Sequence, residues 1–132
     1  MKRFLTLTWL ARILGGLLIV SGVAGFGIDD LVTGVRMNVI RNLLHTFAGI
    51  AGASVDTERE ARWFFLITGG VFAIAAIGGY IVVLKGNWPY GYYVYQWENY
   101  VHAGIAALFL TLSMVVPATA PAKKKAGGKK KC

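Results

Sequence analysis

The sequence predicts an all-α fold, an integral membrane four-helix bundle built from two parallel two-helix repeats. Three observations predict it. Hydrophobic residues make up 56% of the 132-residue chain and charged residues only 15%, against roughly 45–50% and 25% in soluble domains. The apolar residues are gathered into runs with short polar connectors between them. A small polar motif also appears twice, once in each half of the chain.

The first apolar run is Phe4 to Ile28, preceded by Lys2 and Arg3 and interrupted by Arg12. It supplies the roughly 20 helical residues that a bilayer core requires. Arg12, two to three turns in, is expected to snorkel toward the headgroups. The competing reading is a cleaved signal peptide, with a basic start, an apolar stretch from Ile13 to Ala24 and small residues after it. A polar connector follows, Asp29 to Met37. The next stretch, Asn38 to Val55, is the weakest of the four. It carries Arg41, Asn42 and His45 near its start, and spans the membrane only if Arg41 lies at the interface and His45 faces other helices.

Asp56, Glu58, Arg59, Glu60 and Arg62 form a charged loop of alternating sign. Ala61 to Leu84 then gives the clearest span, ended by Lys85, Gly86, Asn87 and Pro89. Trp88, Tyr90, Tyr92, Tyr93, Tyr95, Trp97 and Tyr100 crowd the connector after it. Such rings collect at bilayer interfaces because they pair an apolar body with a polar tip. Trp88, Tyr92, Tyr95 and Trp97 are therefore read as interface aromatics. The last span covers about residues 97–116 and Pro117 closes it. The transmembrane domain is thus 1–117, and 118–132 is a basic tail of disordered composition.

Net charge is +8, yet six of the fourteen basic residues lie in Lys123–Lys125 and Lys129–Lys131. A basic tail beside a span points to anionic lipid headgroups or a topology signal. Nucleic-acid binding, which needs a folded basic face or stacking platforms, is not indicated. Cys132, the last residue, cannot be a prenylation box, which needs three residues after the cysteine. Basic residues near the spans place both termini in the cytoplasm, given an even number of spans.

Asn42-Leu-Leu-His45 recurs as Asn99-Tyr-Val-His102, an offset of 57 (99 − 42). Leu14-Gly15-Gly16-Leu17 aligns with Thr68-Gly69-Gly70-Val71, an offset of 54 (68 − 14). Each half reads as a span with a Gly-Gly pair, a connector, and a span opening with Asn-x-x-His. Two spans per half give both halves the same orientation, related by a pseudo-twofold along the membrane normal. Arg41 and Glu98, each one residue before its Asn, are equivalent and opposite in charge. They are expected to pair, or each to bind lipid or a partner.

Asn and His three residues apart share a helix face. In a low-dielectric bundle they need partners. The structural reading has Asn42, His45, Asn99 and His102 bonding to each other, to backbone or across the halves. The functional reading has His45 and His102 hold a haem iron or a chlorophyll magnesium. A bare metal ion is not indicated, because no carboxylate or cysteine joins the histidines inside the membrane. A proton or ion path is the third reading. Small residues, including Gly15, Gly22, Gly49, Gly52, Gly69 and Gly70, let helix backbones approach closely. Substituting Leu at Gly49 or Gly70 is expected to break that packing.

The motifs Asn42-Leu-Leu-His45-Thr-Phe-Ala-Gly49 and Asn99-Tyr-Val-His102-Ala-Gly104, each after a glycine-bearing span, resemble domain-of-unknown-function family 4383. The resemblance covers about Leu10 to Val116. It implies a bacterial four-helix membrane fold and brings no activity. The aromatic connector and the lysine tail depart from that family's pattern.

No nucleophile–base pair, phosphate loop or paired-carboxylate site is visible, so the chain is not expected to be an enzyme. The sequence reading is a non-catalytic accessory or structural subunit of a larger membrane complex, in contact with lipid and with other membrane proteins. Its alternatives are a haem- or chlorophyll-binding bundle and a small transporter or channel.

Overall fold

The computed structural model describes residues 6–32, 38–85 and 96–115. They form four α-helices, α1 (Leu7–Val32), α2 (Val39–Ala53), α3 (Glu58–Lys85) and α4 (Gln96–Val115). No strand occurs among the described residues. Trp88, Tyr92, Tyr95 and the lysine tail lie outside them.

The buried positions of α1 are Leu7, Ala11, Gly15, Leu18, Gly22 and Gly25. Steps of four and three residues put them on one helical stripe. Those of α3 include Ala61, Phe65, Gly69, Phe72, Ala76 and Gly79. Every one of these six sits 54 residues after its counterpart in α1 (61 − 7, and so on to 79 − 25). Arg41, Asn42, Gly49 and Gly52 of α2 likewise match Glu98, Asn99, Ala106 and Phe109 of α4 at an offset of 57, and all eight are buried.

α1 and α2 pack along their lengths as one antiparallel hairpin, and α3 and α4 as another. The hairpins meet chiefly through α1 and α3. Phe64, Phe65 and Phe72 of α3 stack with Phe109 of α4 at centroid separations of 5.1–6.2 Å, and Leu7, Ala11 and Leu18 of α1 join the same core.

Polar contacts lock the end of the bundle where α1 begins and α4 finishes, here the basal end. The Glu58 carboxylate accepts from the Leu7 N–H (3.2 Å) and from the Thr8 hydroxyl (2.9 Å). It thereby satisfies donors that a helix start leaves open, and its negative charge suits the positive helix terminus. Arg12 donates to the Val55 carbonyl and the Asp56 carboxylate, both at 2.8 Å, so it ties α1 to the α2–α3 turn. Arg62 donates to the Ser113 carbonyl, the matching tie in the second hairpin.

Several boundaries differ from the sequence expectation. α1 runs through Asp29 and Asp30 to Val32, so the first connector begins later than Asp29. The charged stretch is not all loop either. Thr57 and Glu60 form a capping box, in which the Glu60 N–H donates to the Thr57 hydroxyl at 3.2 Å and the Thr57 N–H to the Glu60 carboxylate at 3.1 Å. The pattern Thr-x-x-Glu carries this signal in the sequence, and it turns Glu58 to Arg62 into the first turns of α3. Gly70 was expected to pack like Gly49, but a Cβ there would meet nothing within 4 Å. The first glycine of each pair faces the partner helix, and Gly16 and Gly70 face away.

Among the described residues, two helices are long and apolar enough to cross a membrane, over Leu7–Gly27 and Glu58–Val82. α2, at 15 residues, is about 22 Å long at 1.5 Å per residue.

Candidate functional site: the Asn-His end and its cleft

The opposite, distal end gathers the repeated polar motif. Asn38 caps α2 by accepting from the Arg41 N–H at 3.1 Å. The cap fixes the first turn, so Arg41 and Asn42 project from that turn and His45 from the next. Arg41 is bonded to Glu98 of α4. Their side chains are only 10% and 6% exposed. A lone buried charge is strongly disfavoured, and each of the two residues compensates the other. Arg41 Nε also donates to Asn42 Oδ1 at 3.3 Å, which leaves the Asn42 Nδ2 amide as a donor.

Asn42 and Asn99 occupy the same place in their hairpins. The Asn42 side chain fills the space over Gly25, and the Asn99 side chain fills the space over Gly79. Any larger residue at either glycine would collide with the amide. Here glycine serves close approach, and it decides where the polar group can sit.

The two imidazoles stand edge to face with centroids 6.1 Å apart. Phe72 lies nearly equidistant from both, at 5.5 and 5.4 Å. A porphyrin ligated between the histidines would have to lie across the space that separates them, and the Phe72 ring borders that space. The arrangement therefore does not fit a haem held by both residues.

The histidines differ in their partners. His45 Nδ1 shares a hydrogen bond with the Ser21 hydroxyl at 3.0 Å. The residue 54 positions after Ser21 is Ala75, which has no hydroxyl to offer, and among the described residues His102 Nδ1 is buried without a partner. Asn42 Nδ2 and both polar atoms of the Asn99 amide are also buried and unpartnered. Buried polar groups are rarely left so.

Beside this cluster lies a cleft of about 470 Å³ between α1 and α4, floored by α2. Arg41, Asn42, His45, Glu98, His102 and Ser21 line its distal part, and Leu14, Leu17, Leu18, Ile105 and Leu108 line the remainder. Trp97 borders it and is largely exposed on the first turn of α4.

The structure thus brings together six of the residues singled out from the sequence: Arg41 with Glu98, His45 with His102, and Asn42 and Asn99 each against a glycine of its own hairpin. Ser21, Phe72 and the cleft were not anticipated. Ser21 was within reach, because the 54-residue offset exposes the Ser21/Ala75 difference. Among the described residues no group of three or more His, Cys, Asp or Glu is placed to hold a metal ion. No family profile, curated protein or solved structure matches the chain.

Proposed function

We propose that the chain is an integral membrane protein, related in kind to the four-helix family it resembles, that serves as a non-catalytic accessory subunit of a larger membrane complex. One observation carries the proposal, the inverted distribution of polarity. The charged pair, the asparagines and His102 are buried, while Trp9, Leu17, Val20 and Val23 on α1 and Trp63, Ile67, Ile74 and Ile77 on α3 are each more than half exposed. Water would penalise an apolar surface of this extent on a soluble monomer. A bilayer accepts it, and within one the internal pairing of polar groups is required.

In this reading all four helices span. α2 does so by local thinning of the bilayer around a short segment whose polar start is held inside the protein. The hairpins are two parallel repeats about an axis along the membrane normal, with both termini cytoplasmic. The large outer faces contact lipid and neighbouring subunits. A transporter would need a polar path across the bundle. The polar groups instead gather toward the two ends of the bundle, and Phe64, Phe65 and Phe109 fill the core between them.

Native mass spectrometry after gentle extraction from the source membrane tests the proposal. Co-released heterologous subunits are the expected result. A lone monomer or homo-oligomer would overturn the accessory role, and release of the chain by alkaline carbonate would overturn membrane integration.

A further inference from the structure

We propose that the α1–α4 cleft binds a quinone-class lipid, with its carbonyl-bearing ring among Asn42, His45 and His102 and its single apolar tail along Leu14, Leu17 and Leu108. The inference rests on the membrane reading above, because the ligand must arrive from the bilayer.

The cleft is an amphipathic container. Its distal part is polar, and Val101, Ile105 and Leu108 make its α4 wall aliphatic over about two turns. A volume of about 470 Å³ lies within the roughly 300–1,000 Å³ of small-molecule sites. Leu17, Val101 and Leu108 are about half exposed, so the cleft opens on the flank of the bundle, where a membrane-dissolved molecule would enter.

The head must be neutral. Arg41 and Glu98 already compensate each other, so an anionic headgroup would meet no net positive charge, and a cation no net negative one. The groups left over are hydrogen-bonding ones. Asn42 and His102, on side chains 1% and 5% exposed, line the cleft, and the Asn42 amide nitrogen has no partner among the described residues. A neutral imidazole carries one donor and one acceptor. Ring carbonyls accept from such donors, and a flat ring packs against the Trp97, His45 and Phe109 rings that border the same space in offset or edge-on geometry.

The second hairpin provides a control within the molecule. The equivalent of Leu18 is Phe72 (72 − 18 = 54), whose ring is buried against both histidines. At this distal height the α1–α4 face, where the smaller Leu18 stands, is open, whereas the cleft of the α2–α3 face, about 490 Å³, lies at the basal end and is lined by Ala51, Phe64 and Ile67.

The test uses the full chain in nanodiscs with Trp9, Trp63 and Trp88 replaced by Phe, so that Trp97 reports alone. Decylbenzoquinone is the probe. The expected result is saturable quenching at one quinone per chain. Leu18→Phe, which adds the ring found in the other hairpin, and His102→Leu should each weaken binding by about tenfold, the effect of losing one good contact. Ala103→Leu, on the exposed face of α4 away from the cleft, should leave it unchanged. Unsaturable quenching that is equal in all variants would mean partition into lipid only and would overturn the proposal. So would a bound mass in native spectra that is phospholipid and resists exchange for quinone. Carbonate extraction before any quinone is added separates failure of the membrane reading from failure of the cleft.

Discussion

Gly15 of α1 and Gly69 of α3 hold equivalent places in the two hairpins, yet a methyl group would meet different things at each. At Gly15 it would fall 2.5 Å from the backbone nitrogen of Ala53 and 2.7 Å from the Gly49 carbonyl. At Gly69 it would fall 3.1 Å from the side chains of Leu110 and Phe109. The first hairpin is closed by backbone against backbone, with small residues on both helices. The second is closed at this point by the Phe109 and Leu110 side chains of α4 laid against Gly69 of α3. One buried stripe, repeated at offsets of 54 and 57, thus supports two packing modes. Backbone contact tolerates no added atom, whereas side-chain contact can give by a few tenths of an ångström.

Several substitutions would break or sharpen this comparison. The largest effect is expected at the joint between the hairpins. Reversing either charge alone, Arg41→Glu or Glu98→Arg, leaves two like charges buried together and should cost about 3–5 kcal/mol. Reversing both should recover most of the loss, as measured by thermal melts in detergent. Equal tolerance of all three variants would show that the pair does not join the halves.

Next comes the contrast between the glycines. Gly15→Ala should destabilise by about 3 kcal/mol, the upper end of overpacking costs, and Gly49→Leu by at least as much. Gly69→Ala should shift the melting temperature only slightly. Gly70→Leu, which points into open space, should leave the stability of the isolated chain unchanged. If Gly15→Ala and Gly69→Ala melted alike, the two closures would not differ as described.

The smallest effect is also the most diagnostic. Ala75→Ser should give His102 the hydroxyl partner that Ser21 gives His45, and so add about 1 kcal/mol of stability. Ser21→Ala should remove a similar amount. An infrared or NMR signature of a new His102 hydrogen bond would verify the cause. Ala75→Ser with no such signature and no gain would mean that the two imidazole environments are not related by the 54-residue offset.

Much of this architecture was legible in the sequence. The Asn-x-x-His copies and the Gly-Gly pairs set the offsets, and those offsets describe which residues are buried on all four helices. Arg41 and Glu98 could be matched across the chain because a charge one residue before each Asn stands out in an apolar segment. The ends of the helices were less legible. Asp29 and Asp30 read as a connector, yet α1 continues past them. Glu58 to Arg62 read as a loop, although Thr57 and Glu60 spell a capping box.

By itself, then, the sequence determined the helical class, the repeat and the identity of the polar groups, because periodicity and composition are local properties of a chain. Only the tertiary structure decided which glycine of each pair bears a neighbour and which is bare. It alone set Phe72 against both imidazoles and left His102 without the partner that His45 has. It also placed one cleft at the distal end between α1 and α4 and another at the basal end between α2 and α3. These outcomes depend on the rotation of each helix and the distance between hairpins, which are fixed by how unlike side chains, Leu18 against Phe72 and Ser21 against Ala75, fill equivalent space.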